Sequence, residues 1–170
     1  TLLKAASLLG FGHRRLIRVP VDDQGRMRVD ALPTISGPAI VCIQAGNVNT
    51  GAFDPATEIC QRVKSCGAWV HVDGAFGLWA AAAPHRRYLT NGIADADSWT
   101  TDAHKWLNVP YDSGLVFVRD KSSLEAAMMP PVPYLPEGEV REPWKYTPEA
   151  SRRARGIEIW AVLRCLGRSG

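Results

Sequence analysis

Four short apolar runs, each bounded by turn-forming residues, limit what this chain can fold into more than any other feature. Residues 40–44, 69–72, 96–100 and 115–118 are rich in β-branched and aromatic side chains and too short for helices, so they are expected as strands. Between the first two, Asp54 and Pro55 stand where an N-cap and a first helical position belong, opening a helix to about Ser65 with Gly67 beyond it. After the fourth, Asp120 or Ser122 caps a helix to about Met128. Strands of this length alternating with helices predict an α/β fold, a mostly parallel sheet with helices on both faces.

The remaining segments fill in around that frame. Residues 1–9 carry a helical pattern closed by Gly10, residues 16–19 read as a short strand, residues 22–25 as a turn, and residues 29–32 as a helical turn stopped by Pro33. Residues 129–150 are irregular and proline-rich at their start, as in a lid or a dimer-contact loop. Residues 152–166 are expected as an amphipathic helix ending near Gly167. No internal repeat is visible.

In open α/β sheets, ligands gather beyond the carboxyl ends of strands. Residues 47–51, Asp73 at the end of the second strand, and Lys105 in the turn region after the third all fall there. An amine and a carboxylate at one such edge suit pyridoxal phosphate, which needs a lysine for its aldehyde carbon and an anion facing its ring nitrogen. A free lysine, with a pKa of about 10.4, is a poor nucleophile while protonated, so it needs a partly dry setting, which Trp106 and Leu107 would supply. An ionised Asp73 would keep the pyridine nitrogen protonated and the ring electron-withdrawing. Each residue alone has a plainer reading: the His-Lys pair as a solvated turn, the aspartate as an N-cap or Asx-turn residue. Their joint placement favours one shared site.

The ordered runs Asn47-Val48-Asn49-Thr50-Gly51-Ala52-Phe53-Asp54-Pro55, His71-Val72-Asp73-Gly74-Ala75 and Asp102-Ala103-His104-Lys105-Trp106-Leu107-Asn108-Val109-Pro110-Tyr111-Asp112-Ser113-Gly114 resemble the pyridoxal-phosphate-dependent group II amino-acid decarboxylases. These are relatives of the aromatic-amino-acid and glutamate decarboxylases within the aspartate-aminotransferase fold. The likeness continues through residues 148–155 and Trp160. It implies that Lys105 forms the Schiff base, Asp73 pairs with the ring nitrogen, Ala75 lies against one face of the ring, Ser98 reaches the phosphate and His104 lines the phosphate end. Lys105, Asp73 and His104 would then be the catalytic group, with Ala75, Ser98 and Asn49 added for cofactor binding. The resemblance further implies an L-amino-acid substrate and a homodimer. Residues 1–128 would be part of a large cofactor-binding domain that residues 151–170 continue, with further segments on either side in the intact protein.

Three positions depart from the family pattern. Val48 stands where animal aromatic decarboxylases have a threonine, leaving Asn47 or Asn49 to supply any polar contact there. Asp102 stands where many relatives have an asparagine touching the phosphate. A second anion is unfavourable there unless it turns away or is neutralised, so Asp102 is left out of the phosphate shell. Pro143 stands where a loop tyrosine is thought to protonate the carbanion, and neither Tyr134 nor Tyr146 aligns with it. Decarboxylation therefore leads, with transamination, lyase chemistry, oxidative deamination or an inactive fragment as alternatives.

Composition sets the outer bounds. With 170 residues, 46% of them hydrophobic, the chain is long enough for one domain with a sizeable core, and no apolar run approaches the roughly 20 residues of a membrane helix. A net charge of +3, without Lys and Arg interleaved with aromatics, does not suggest a nucleic-acid surface. Cys42, Cys60, Cys66 and Cys165 form neither a CxxC pair nor a metal-ligand spacing, which reads as reduced thiols in a cytoplasmic protein without a metal.

Overall fold

The computed structural model describes residues 1–12, 14–129 and 140–170. In it β1 (Ile40–Gln44), β2 (Trp69–Asp73), β3 (Ser98–Asp102) and β4 (Gly114–Val118) form one sheet in the order β1-β2-β3-β4. The first three strands pair parallel and β4 runs antiparallel to β3, giving the expected mostly parallel α/β sheet. Every strand coincides with a predicted apolar run. β3 lies two residues further along than expected, so Asp102 closes it. The helices are α1 (Leu2–Leu8), α2 (Ala56–Lys64), α3 (Lys121–Met128) and α4 (Gly156–Leu166).

Alternation along the strands sends Val41, Ile43, Val70 and Val72 to one face, where they form the core with Ile59, Cys60 and Val63 of α2. Ala56, Ile59, Cys60 and Val63 follow the i, i+3, i+4, i+7 spacing of a buried helical stripe. Trp99 packs against the same cluster and donates its indole N–H to the Ile93 carbonyl at 2.7 Å. α2 thus covers this face of the sheet. On the other, Ile40 and Val116 remain 57% and 51% exposed, and the polar residues His71, Asp73, Ser98, Thr100 and Asp102 share the face with Cys42 and Trp69.

A hydrogen-bonded row crosses that second face. Ser98 Oγ accepts from Trp69 Nε1 at 2.8 Å and lies 2.8 Å from His71 Nδ1. On the other side of the ring, Nε2 lies 3.5 Å from Thr100 Oγ1, so His71 bridges the hydroxyls of Ser98 and Thr100. Burial pushes the His71 pKa below its ordinary 6.5, partly opposed by the charge of Asp73.

Two glycines let the turns beyond β1 and β2 touch. Gly46 has φ +89°, and a Cβ there would come within 2.8 Å of the Gly77 nitrogen; a Cβ on Gly77 would come within 2.5 Å of the Ala45 carbonyl oxygen. Gly77 donates its N–H to that same carbonyl at 2.9 Å. Backbone packed directly on backbone holds the two strand ends together.

Several local expectations need correction. Residues 16–19 form no strand; the pairing nearby is an isolated bridge between Val21 and Met27, closed by the expected turn, in which Asp22 Oδ1 accepts from the amides of Gln24 and Arg26 at 2.9 Å. Asp54 does not cap α2. Its carboxylate instead accepts from the Met27 amide at 2.7 Å and the Gln44 amide at 2.6 Å, tying the 20s segment to β1, and Pro55 takes the N-cap position. Asp120, not Ser122, caps α3, accepting from the amides of Ser122 and Ser123; the two serine hydroxyls help hold its carboxyl at about 2. The last helix begins at Gly156 instead of residue 152, and Arg152, Arg153 and Arg155 before it pair with Glu149, Glu158 and Asp112. Its apolar stripe faces outward, with Ile157, Trp160, Leu163 and Leu166 all exposed. Of the expected lid or dimer-contact loop, residues 130–139, Tyr134 among them, lie outside the described residues. Pro143–Tyr146 forms a 3-10 turn docked on α3 through a 2.7 Å bond from the Tyr146 hydroxyl to Glu125.

Two outcomes are expected in the intact protein. Gly46→Ala should destabilise the fold by about 2 kcal/mol or more, since it adds both backbone strain and a clash; an unchanged denaturant midpoint would refute the close crossing. Because the His71 pKa is lowered on folding, its contribution to stability is fully present above 6.5 and lost as pH falls below that value. The fall in melting temperature between about pH 7.5 and about pH 5.5 should therefore be smaller in His71→Gln than in the parent. Equal falls in both proteins would show that His71 is not the titrating group.

Candidate active site

The parallel register sets Gln44, Asp73 and Thr100 side by side at the carboxyl edge of the sheet. Asp102 lies two residues beyond Thr100, so its side chain leaves the same face as that of Asp73, with the two Cα atoms roughly 8 Å apart by ordinary strand spacing. Immediately after Asp73 the chain turns. Gly74 donates its N–H to the Thr100 carbonyl at 2.9 Å, and Ala75 donates its N–H to Asp73 Oδ1 at 3.1 Å. That Asx turn holds one carboxylate oxygen of Asp73 and places half-buried Ala75 directly beside it.

Lys105 enters from the connection between β3 and β4. Its Nζ lies 2.7 Å from Asp102 Oδ2 and 3.9 Å above the centroid of the Phe76 ring. Phe76 is three residues past Asp73, so this contact joins the lysine segment directly to the aspartate turn. The amine thus meets a carboxylate on one side and the electron-rich face of an aromatic ring on the other. The Lys105 side chain is 25% exposed.

His104 completes the cluster. Its Nδ1 accepts from the Ser113 amide at 3.0 Å, which puts the ring proton of the neutral imidazole on Nε2, 3.7 Å from Asp102 Oδ2. Tyr111 stacks on the imidazole with centroids 4.0 Å apart and an interplanar angle of 29°.

The structure thus brings together Lys105, Asp73, His104 and Ala75. Ser98 is not with them. It begins β3, four residues before Asp102 and on the order of 13 Å back along the strand, and its hydroxyl is committed to Trp69 and His71. Ser98 is therefore set back from the end of β3, though the register leaves it diagonal to Asp73 on the same face. Asn49 stands in the exposed turn after β1, where its amide donates to Asn47 Oδ1 at 2.9 Å, and Val48 beside it is 66% exposed. Asp102 is neutralised by Lys105, the condition under which a second anion is tolerable here. Sequence reasoning did not find Phe76 and Tyr111. The i, i+3 spacing of Asp102 and Lys105 was the available signal for their ion pair.

Among the described residues no cluster of His, Cys, Asp or Glu suits a metal ion, all four cysteines are free, and no helix is long and apolar enough to cross a membrane.

The chain is 30% identical to the aromatic-L-amino-acid decarboxylase of Bacillus atrophaeus over 96% of its own length and 37% of that protein. It is 33% identical to the L-2,4-diaminobutyrate decarboxylase of Rhizobium meliloti over 100% of its length and 37% of that protein. The crystal structure of Oryza sativa TDC with PLP and tryptamine superposes with a TM-score of 0.84 at 26% identity, over 98% of this chain and 37% of that one. The chain therefore spans a little over a third of the length of these relatives. The pyridoxal-dependent decarboxylase conserved domain matches residues 1–170, and the chain belongs to that family.

Proposed function

We propose that the intact protein is a pyridoxal-phosphate-dependent decarboxylase of an L-amino acid. The observation that carries this reading is the meeting of Lys105, Asp102 and Phe76 at the strand edge where Asp73 also ends. The donor set fits the cofactor. It contains a primary amine for an aldehyde carbon, a carboxylate for a pyridine nitrogen and a small side chain, Ala75, beside that carboxylate. When bound, the cofactor supplies the electron sink for the departing carboxylate.

The chain's own residues prepare that chemistry. Asp102 and Phe76 hold the Lys105 amine at the edge of the sheet, and Lys105 must leave Asp102 and lose a proton before it can attack a carbonyl carbon. Asp73, held by the Ala75 amide through one oxygen, keeps the other for a protonated ring nitrogen. His104, fixed by Ser113 and Tyr111, directs its Nε2 proton toward the anionic side of the cluster. We assign Asn49 to the rim, where its turn follows β1 at the same edge.

Substrate class follows only at the level the relatives share. One is named for aromatic amino acids and another for diaminobutyrate, which leaves an L-amino acid as the common statement. We place the protein in the cytoplasm, as free thiols among the described residues suit a reducing compartment, and as a homodimer, in which the outward stripe of α4 would be covered.

Reduction with borohydride after loading with pyridoxal phosphate should leave a cofactor adduct on Lys105, read by peptide mass. Loaded protein should release carbon dioxide and an amine from its substrate. Lys105→Ala should lose both adduct and turnover. Asp73→Ala should bind cofactor weakly and lose turnover by a factor on the order of 100 or more. Appearance of an oxo acid or aldehyde in place of the amine would change the reaction assigned, and an adduct on a different lysine would overturn the site.

A further inference from the structure

The connection carrying Lys105 is gripped by two arginines from more than forty residues later in the chain. Arg155 donates Nε to the Asp112 main-chain carbonyl at 2.8 Å and to Asp112 Oδ1 at 2.9 Å, and its Nη2 lies 2.8 Å from the same Oδ1. Arg153 donates Nη1 to the Tyr111 carbonyl at 3.2 Å while its Nη2 pairs with Glu158 at 2.7 Å. The gripped residues are those that define the histidine. Tyr111 stacks on the His104 ring, and Ser113, next to Asp112, donates its amide to His104 Nδ1.

We infer that Arg155, assisted by Arg153, is a positioning residue that sets the tautomer and orientation of His104 beside Lys105 by fixing the main chain at Tyr111 and Asp112. This rests on the reading of Lys105 as the cofactor-bearing lysine.

The plainer account is a pair of solvated ion pairs. Side chains as exposed as that of Asp112, at 71%, contribute little to stability when paired at a surface. Two features separate the arrangement from that account. Both arginines donate to main-chain carbonyls, which charge pairing does not require, and those carbonyls belong to consecutive residues between the two contacts His104 makes with its own loop. A planar guanidinium reaches a carbonyl and a carboxylate of one residue at once; an ammonium does so with less directional control. The consequence is indirect. If the loop shifts, Nδ1 loses the Ser113 amide, the ring proton is no longer confined to Nε2, and the hydrogen-bonding pattern beside Asp102 and Lys105 changes.

The test uses the intact protein and two readouts. In cofactor-free protein labelled with 15N-histidine, the His104 ring nitrogens should report one tautomer, protonated on Nε2. Arg155→Gln should shift them toward a mixture, and Asp112→Asn, which keeps the main-chain bond, should leave them near the parent values. In protein loaded with pyridoxal phosphate, Arg155→Gln should weaken cofactor binding about tenfold, with Arg155→Lys restoring only part of the loss. In a His104→Gln background the same Arg155→Gln change should cost less than about twofold, because the residue through which it acts is gone. Should Arg155→Gln fail to fold, Arg155→Lys carries the same two comparisons. Unchanged His104 resonances, or equal losses of cofactor affinity in both backgrounds, would overturn the inference. Failure of the unsubstituted protein to attach cofactor at Lys105 would remove the proposed function while the resonances still judged the arginine pair.

Discussion

Parallel pairing of β1, β2 and β3 in a single register places Gln44, Asp73 and Thr100 in one row, and the candidate site depends on that row. Because the strands run the same way, all three end at the same edge, and the polar turns that follow must share it. The pairing is held from one side by the core of Val41, Ile43, Val70 and Val72 against α2, whose helical stripe matches the alternation of the strands. It is held at the edge itself by the crossing of Gly46 and Gly77, where neither residue has room for a side chain.

Charge within the cluster is arranged around one cation. The Lys105 amine has a carboxylate at 2.7 Å and an aromatic face at 3.9 Å. Under the proposed function, the amine must leave these partners before it can attack a carbonyl carbon. Asp102 is central to this. In place of a neutral amide it introduces an anion, and the anion is compensated inside the same connection. Asp73 stands apart from that pair, bonded to the Ala75 amide in its own turn.

The strands were legible because a buried parallel strand is a short apolar run, and all four runs became strands. The place of Asp73 was legible because a carboxylate at a strand end beyond an apolar run is conspicuous, and that of Lys105 because its segment follows the next strand. Residues 16–19 misled because apolar character without a pairing neighbour is not a strand; Val19 packs on the core from an irregular segment. Asp54 misled because an aspartate before a proline and a helix has the local signature of a cap, while its two amide partners come from residues 27 and 44. Ser98 lies close to Lys105 in sequence, yet it opens β3, and its hydroxyl is engaged with Trp69 and His71 within the sheet.

The amino-acid sequence by itself determined the alternation of strands and helices, the edge at which chemistry gathers, and the residue types available there, since hydrophobic period and turn chemistry act over a few neighbouring residues. Only the tertiary structure decided which partners those residues take. The Lys105 amine rests over Phe76, the Tyr111 ring covers His104, and Arg155 grips Asp112, contacts made between segments 29 to 43 residues apart for the first and last of these and within one long connection for the second. Apart from the hairpin-like return of that connection, such partners are set by strand register and by the crossing of turns, and neither is written in any local pattern.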